Sequence, residues 1–150
     1  MIVVEPANPK ADGPAALLAQ SHALMGQLFP ADARHYLDLD ALCADHIRFF
    51  AARDGQDVVG TGALAIFDGY GEVKSMFTDE RARGKGVAAA VLRMLEDTAR
   101  HEGLPLLRLE TGTGLDAAHR LYERFGFIQR GPFGSYASSP YSLFYEKPLQ

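Results

Sequence analysis

The sequence predicts an α/β fold, in which helices cover a sheet, and three observations carry that prediction. Runs rich in β-branched and aromatic residues alternate with segments of helical periodicity from Ile47 to the end of the chain. The segment starting at Val87 has strong helical amphipathicity. Arg53-Asp54-Gly55-Gln56 separates two apolar runs as a hairpin turn would.

Taken in order, Met1–Glu5 reads as a short strand, closed by Pro6 and Pro9. Pro14–Leu28 reads as a helix with Leu17, Leu18, Met25 and Leu28 at apolar positions, stopped by Pro30. A second helix is expected over Arg34–Ala44. Ile47–Ala52 and Asp57–Phe67 read as the two hairpin strands, and Glu72–Phe77 as a further strand. After the turn that follows, Val87, Ala90, Val91, Met94 and Leu95 keep helical spacing, Glu96 is expected to pair with Arg100 at i,i+4, and Gly103 with Pro105 ends the helix. Strand Leu106–Glu110, helix Asp116–Arg124 closed by Gly126, strand Phe127–Arg130 and strand Leu143–Lys147 complete the chain. No repeat, low-complexity tract or linker interrupts it, so one domain over residues 1–150 is expected.

Composition narrows the function. At 47% hydrophobic and 23% charged the chain is ordinary globular material, with no apolar run of membrane-span length. The start Met-Ile-Val-Val-Glu-Pro lacks the basic flank of a signal peptide, so a cytoplasmic protein without a membrane partner is expected. The one cysteine, Cys43, excludes an internal disulfide and is expected to be a small buried hydrophobe. Residues 1–80 carry 12 acids and 5 bases, whereas residues 81–150 carry 7 acids and 10 bases. The second part therefore suits an anionic cofactor and the first a cationic acceptor. A net charge of −4 with no basic stripe interleaved with aromatics speaks against nucleic acid.

Arg81-Ala82-Arg83-Gly84-Lys85-Gly86-Val87-Ala88 is the most informative stretch. Gly84 and Gly86 permit a sharp turn and close approach of a ligand to the amides, Val87 opens a helix, and Arg81, Arg83 and Lys85 add charge. A P-loop is excluded because Lys85 is followed by Gly86, not by Ser or Thr. A dinucleotide fingerprint matches Gly84-Lys85-Gly86-Val87-Ala88-Ala89 only superficially, because the polar stretch from Thr78 to Arg83 separates the glycines from the preceding strand.

A third pattern fits better. Arg81-x-x-Gly84-x-Gly86-x-Ala88 resembles the acyl-CoA signature R/Q-x-x-G-x-G/A of the GNAT superfamily of N-acetyltransferases. Ala118-His119-Arg120-Leu121-Tyr122-Glu123-Arg124-Phe125-Gly126-Phe127 is similar to that family's A-x-x-L-Y-x-x-x-G-F segment. The resemblance implies a mixed, strongly twisted central sheet flanked by helices and splayed between its fourth and fifth strands to admit a pantetheine arm. It implies acetyl-CoA as cosubstrate, with no metal, held by Met76, Phe77, Arg81, Arg83, Gly84, Lys85, Gly86, Val87 and Ala88. One departure stands out: Leu115 occupies the place where many members carry Asn, and the neighbouring Asp116 is the expected helix cap.

The implied reaction is direct attack of a primary amine on a thioester. An amine of pKa about 10.4 is only about one part in 10³ neutral at pH 7, a handicap of roughly 4–5 kcal/mol. A positioned base is therefore useful. Glu72 is the first candidate, on the strand that feeds the glycine loop, and Glu110 on the neighbouring strand is the second. The departing thiol needs a proton, and the resemblance gives that role to Tyr122, whose phenol is protonated at neutral pH. Tyr36 and Tyr136, the latter in the aromatic loop Gly131–Pro140, are expected to help shape the acceptor pocket with Glu110. His35 and His46 are further pocket candidates, while His101 and His119 are expected to face solvent. The acceptor expected is a small molecule or amino-acid-like amine. A protein N-terminal or lysine acetyltransferase and a non-catalytic acyl-CoA sensor are the alternatives, and the resemblance allows a homodimer.

Overall fold

Gly55, held at φ +63°, turns the chain between Ile47–Asp54 (β2) and Asp57–Phe67 (β3), and the two strands pair antiparallel from Ile47↔Ala65 to Asp54↔Asp57. Gly69, at φ +83°, makes the next reversal into Tyr70–Thr78 (β4). The computed structural model describes residues 1–150, and its seven strands form one sheet in the order Ile2–Pro6 (β1), β2, β3, β4, Leu106–Gly112 (β5), Ser142–Pro148 (β7), Ile128–Arg130 (β6). β1 lies antiparallel on β2, β5 on β7, and β6 on β7. Only β4 and β5 run parallel, and they pair at just Gly71↔Leu107 and Glu72↔Arg108. Beyond those residues the two strands part. The mixed, splayed sheet expected from the resemblance is thus present.

Helices cover both faces of the sheet. Val87–His101 (α3) sets Val87, Val91, Leu92, Leu95 and Ala99 against Val59, Leu64, Val73, Leu107 and Leu109. Leu92 and Leu95 are fully buried, each contributing roughly 1.5–3 kcal/mol of transfer free energy. The helix can sit this close because β3 presents glycine beneath it: a Cβ added at Gly60 would lie 2.5 Å from Val87 Cγ1. Asp12–Leu28 (α1) covers the other face, where Leu18 packs with Ile47, Phe49, Ala63 and Ala65. Asp116–Arg124 (α4) buries Leu121 and Tyr122 beside Phe127 and Tyr145. No helix is long and apolar enough to cross a membrane.

Two sequence expectations are revised, and a third, the Glu96–Arg100 pair, is present but joined by a shorter bond. The helix expected over Arg34–Ala44 is a 3₁₀ turn at Ala31–Ala33, an irregular stretch, and the one-turn helix Leu39–Leu42 (α2). Asp38 is the cause, because its side chain accepts the Ala41 N–H at 2.8 Å and starts the helix there. Cys43, just past α2, is exposed. Glu96 is buried and bonds chiefly to Lys147 of β7, with Nζ–Oε2 at 2.6 Å against 4.0 Å to Arg100.

Candidate active site

The parting of β4 from β5 opens two adjoining cavities. The smaller, of about 150 Å³, is walled by Val73–Met76 of β4 and Glu110–Gly112 of β5, and closed by Met25 and Phe29 and by Arg34–Tyr36. The larger, of about 750 Å³, runs between the glycine turn and the start of α4. Tyr122 and Leu115 of the α4 side, and Met25 and Met76 opposite, line both cavities.

In the larger cavity two helix N-termini converge. Gly86, at φ +79° and preceded by Gly84 at φ +80°, is the N-cap of α3, and Leu115 is the N-cap of α4. Neither helix start has a side-chain cap, so unpaired N–H groups and positive dipole ends remain at a concave surface. The space where a Cβ of Gly84 or Gly86 would stand is open, and a ligand can reach the backbone there. This combination suits a pyrophosphate. Met76, Phe77, Arg83, Gly84, Gly86, Val87 and Ala88, the residues for which the sequence suggests a cofactor role, all line it. Arg81 and Lys85 do not: Arg81 is turned onto Asp79, with Nη2–Oδ2 at 2.9 Å, and holds that carboxyl below its usual range through hydrogen bonds. Asp116 does not cap α4 but begins it.

The smaller cavity owes its shape to an irregularity in β4. Lys74 pairs with Ala63 and Phe77 with Thr61, leaving Ser75 and Met76 without partners opposite Gly62. Ser75 takes the left-handed conformation, φ +56°, at this bulge, an unusual state for a residue with a side chain. Its carbonyl accepts from Thr61 Oγ1 at 2.8 Å, while its own hydroxyl is buried and unpartnered.

Glu110 faces this cavity and accepts a 2.7 Å hydrogen bond from Ser142 Oγ. Burial raises its carboxyl above the ordinary range, against the lowering effects of Ser142 and of the His35 and Lys74 charges. Glu72, the first candidate base in the sequence, is not on the cavity wall. It is buried, accepts the Tyr136 hydroxyl at 2.5 Å, and stands 3.5 Å from Lys74 Nζ. Lys74 in turn donates to Tyr136 Oη at 2.9 Å and to the His35 carbonyl at 2.8 Å. Tyr136 is therefore one layer behind the cavity, its phenol raised by burial and by Glu72.

Tyr122 is 6% exposed, edge-on to Phe127 at 5.7 Å between ring centroids. Burial, reinforced by Glu110, raises its phenol, which keeps it protonated. No protein group holds its hydroxyl. Tyr36 lines the cavity mouth, stacked on His22 at 3.9 Å, and His35 lines it too. His46 lies elsewhere, against Phe67, and His119 is not free in solvent but bonds the Gly112 carbonyl at 2.9 Å. Sequence reasoning missed Arg34, Lys74, Ser75 and Ser142. Of these, only Lys74 was recoverable, since it stands two residues from Glu72 on a strand and so shares its face.

Residues 18–127 match the model of the acetyltransferase (GNAT) family. A protein of Azospirillum brasilense named "IAA acetyltransferase" is 45% identical over 144 residues, 95% of this chain and 94% of its own. An "Uncharacterized N-acetyltransferase YsnE" of Bacillus subtilis is 38% identical, with 83% of this chain and 85% of its own covered. A solved structure from Klebsiella pneumoniae, provisionally assigned as an acyl-CoA N-acyltransferase, superposes with a TM-score of 0.87 at 34% identity, covering 100% of this chain and 99% of its own. A Thermoplasma acidophilum N-acetyltransferase solved with coenzyme A shares the fold at a TM-score of 0.75 and 13% identity, covering 99% of each chain.

Proposed function

The chain belongs to the GNAT family of N-acetyltransferases, and from that premise we propose that it acetylates the primary amine of a small molecule, with acetyl-CoA as donor. In this reading Glu110 is the base and Tyr122 the acid. The observation that carries the proposal is the position of Tyr122, whose buried ring lines both cavities while its hydroxyl lacks a protein partner.

Acetyl-CoA supplies an activated thioester, and the cleft at the two helix N-termini is the place that fits its pyrophosphate. The residues of the smaller cavity do the rest. Glu110, held by Ser142 and raised by burial, takes the ammonium proton of the acceptor and so releases the lone pair for attack. A base raised toward the working pH also holds that proton more firmly than an ordinary carboxylate. Tyr122 gives its proton to the sulfur as the C–S bond breaks, and its phenolate takes the second amine proton, shed once the C–N bond has formed. Glu72 then serves as a positioning group, clamping Tyr136 and Lys74 behind the cavity. A cytoplasmic location accords with a donor of this kind.

The test is a screen of primary amines for acetyl-CoA-dependent CoA release, followed by Tyr122→Phe on the best acceptor below pH 8. The variant keeps the packed ring, so acetyl-CoA affinity should change little, while turnover falls about 10²–10⁴-fold. Turnover within twofold of the parent removes Tyr122 from the chemistry. Binding of acetyl-CoA with no acceptor in the screen favours a sensor.

A further inference from the structure

Deepening the reading just given, and resting on it, we propose that the acceptor is an amino acid with a small apolar side chain, its carboxylate held by Arg34 and its ammonium by Glu110. Both residues line the smaller cavity. A cavity of about 150 Å³ takes a benzene-sized ligand, so about six to nine non-hydrogen atoms fit. That is the size range from alanine to leucine.

The charges in this cavity are unequal in how they are matched. Lys74 is occupied, shared among Glu72, Tyr136 and the His35 carbonyl, so its charge is answered within the protein. Arg34 has no carboxylate partner. Its Nε donates to the Phe29 carbonyl at 2.9 Å and its Nη2 to the Gly26 carbonyl at 3.2 Å. Two carbonyls at the C-terminal end of α1 thus aim the guanidinium and leave Nη1 without a protein partner. An aimed guanidinium with spare donors suits a planar carboxylate. Glu110 likewise has no cation at ion-pair distance, feels His35 and Lys74 only from further off, and accepts only from Ser142. One unmatched anion and one unmatched cation in a cavity this small match a zwitterion. Met25, Phe29 and Leu115 give the apolar wall for its side chain.

The experiment compares kcat/KM for L-valine and L-leucine with that for isobutylamine and isoamylamine, the same molecules without the carboxylate, in the parent and in Arg34→Met. Hydrogen bonds to a charged group are worth about 1.5–3 kcal/mol. The amino acids should therefore lose about 10- to 100-fold in the variant, while the simple amines change little. The ratio of the two classes cancels any difference in amine basicity and any general damage to the fold, and Arg34→Lys should restore part of the preference. An unchanged ratio in Arg34→Met, or equal use of both classes by the parent, overturns the inference. So does acetylation of some other amine in the screen with no turnover of valine or leucine, an outcome that leaves the N-acetyltransferase reading standing. Failure of every amine overturns that reading itself.

Discussion

Glu146 and Glu110 lie on the same pair of strands, two register steps apart, and their surroundings are opposite. Glu146 sits across from Arg108 in the β5–β7 ladder and accepts hydrogen bonds from Arg108, at 2.8 Å, and from Arg130. The Arg108 bond, then Arg130, holds its carboxyl below the usual range. Glu110 sits across from Phe144, has one neutral donor, and is raised by burial. The ladder continues through both, yet only at the Glu110 end has the β4 neighbour moved away. A carboxylate matched by two guanidiniums is spent on the fold. One left without an ion pair at the parting of the strands is, on the proposed reading, the one that exchanges a proton with the acceptor.

Turnover should separate the two most widely. Glu110→Gln should lower kcat/KM at pH 7 by about 10²–10⁴-fold, while Glu146→Gln, remote from both cavities, should leave it within a few-fold. The pH profile carries the sign: parent activity rises with pH as Glu110 ionises, and the glutamine variant loses that limb. A parent-like profile in Glu110→Gln would transfer the base to another group and erase the functional side of the contrast.

Glu72→Gln sharpens the same contrast at smaller amplitude. The Glu72 charge raises Glu110, and the Lys74 charge lowers it. Removing the first leaves the second unopposed, so the acidic limb should move to lower pH and persist. The change in rate should be on the order of tenfold or less, the effect of about one pKa unit. Disappearance of the limb in this variant would mean that Glu72 itself accepts the proton.

Stability should reverse the ranking of the pair. Glu146 has a lowered folded pKa, so its contribution is present above the unfolded carboxylate value and is lost as pH falls through the folded one. Glu146→Gln should cost about 1 kcal/mol at pH 7, a Tm lower by roughly 2–4 °C, and the gap should close in acid. Thermal denaturation from pH 7 down to pH 3 checks it, and a gap constant across that range would show that packing of Glu146, not its charge, is what matters.

How much of this contrast the sequence contained depends on whether the cause was local. The cradle was legible because its geometry needs Gly84, Gly86 and a following helix, all contiguous. The placing of Tyr122 was legible because its motif, Ala118 to Phe127, is one contiguous stretch of helix and the glycine that closes it. The relative standing of Glu72 and Glu110 was not, since it depends on Tyr136 reaching Glu72 across 64 residues and Ser142 reaching Glu110 across 32. Nor was the Ser75 bulge, which arises from register with β3 and not from the identity of Ser75. Arg34 was hidden inside a helix that the sequence favoured and that Asp38 displaced.

The smallest effect is also the one most specific to the contrast, a gain in stability on removing a charge. Glu110 has a raised folded pKa, so ionising it opposes folding, with nothing lost below the unfolded value and the full cost present above the folded one. Gln at this position keeps an oxygen to accept from Ser142 but has no charge to desolvate. Glu110→Gln should therefore be more stable than the parent at pH 7, by less than about 1 kcal/mol, a gain typical of relieving a functional site. The difference should shrink as pH falls through the raised pKa of Glu110 and vanish below pH about 4, where both side chains are neutral. Denaturant titrations of the two proteins at pH 7 and at pH 4 measure it. A variant less stable than the parent at pH 7 would mean that the Glu110 charge is matched in the fold after all, and that the two ends of the ladder are alike.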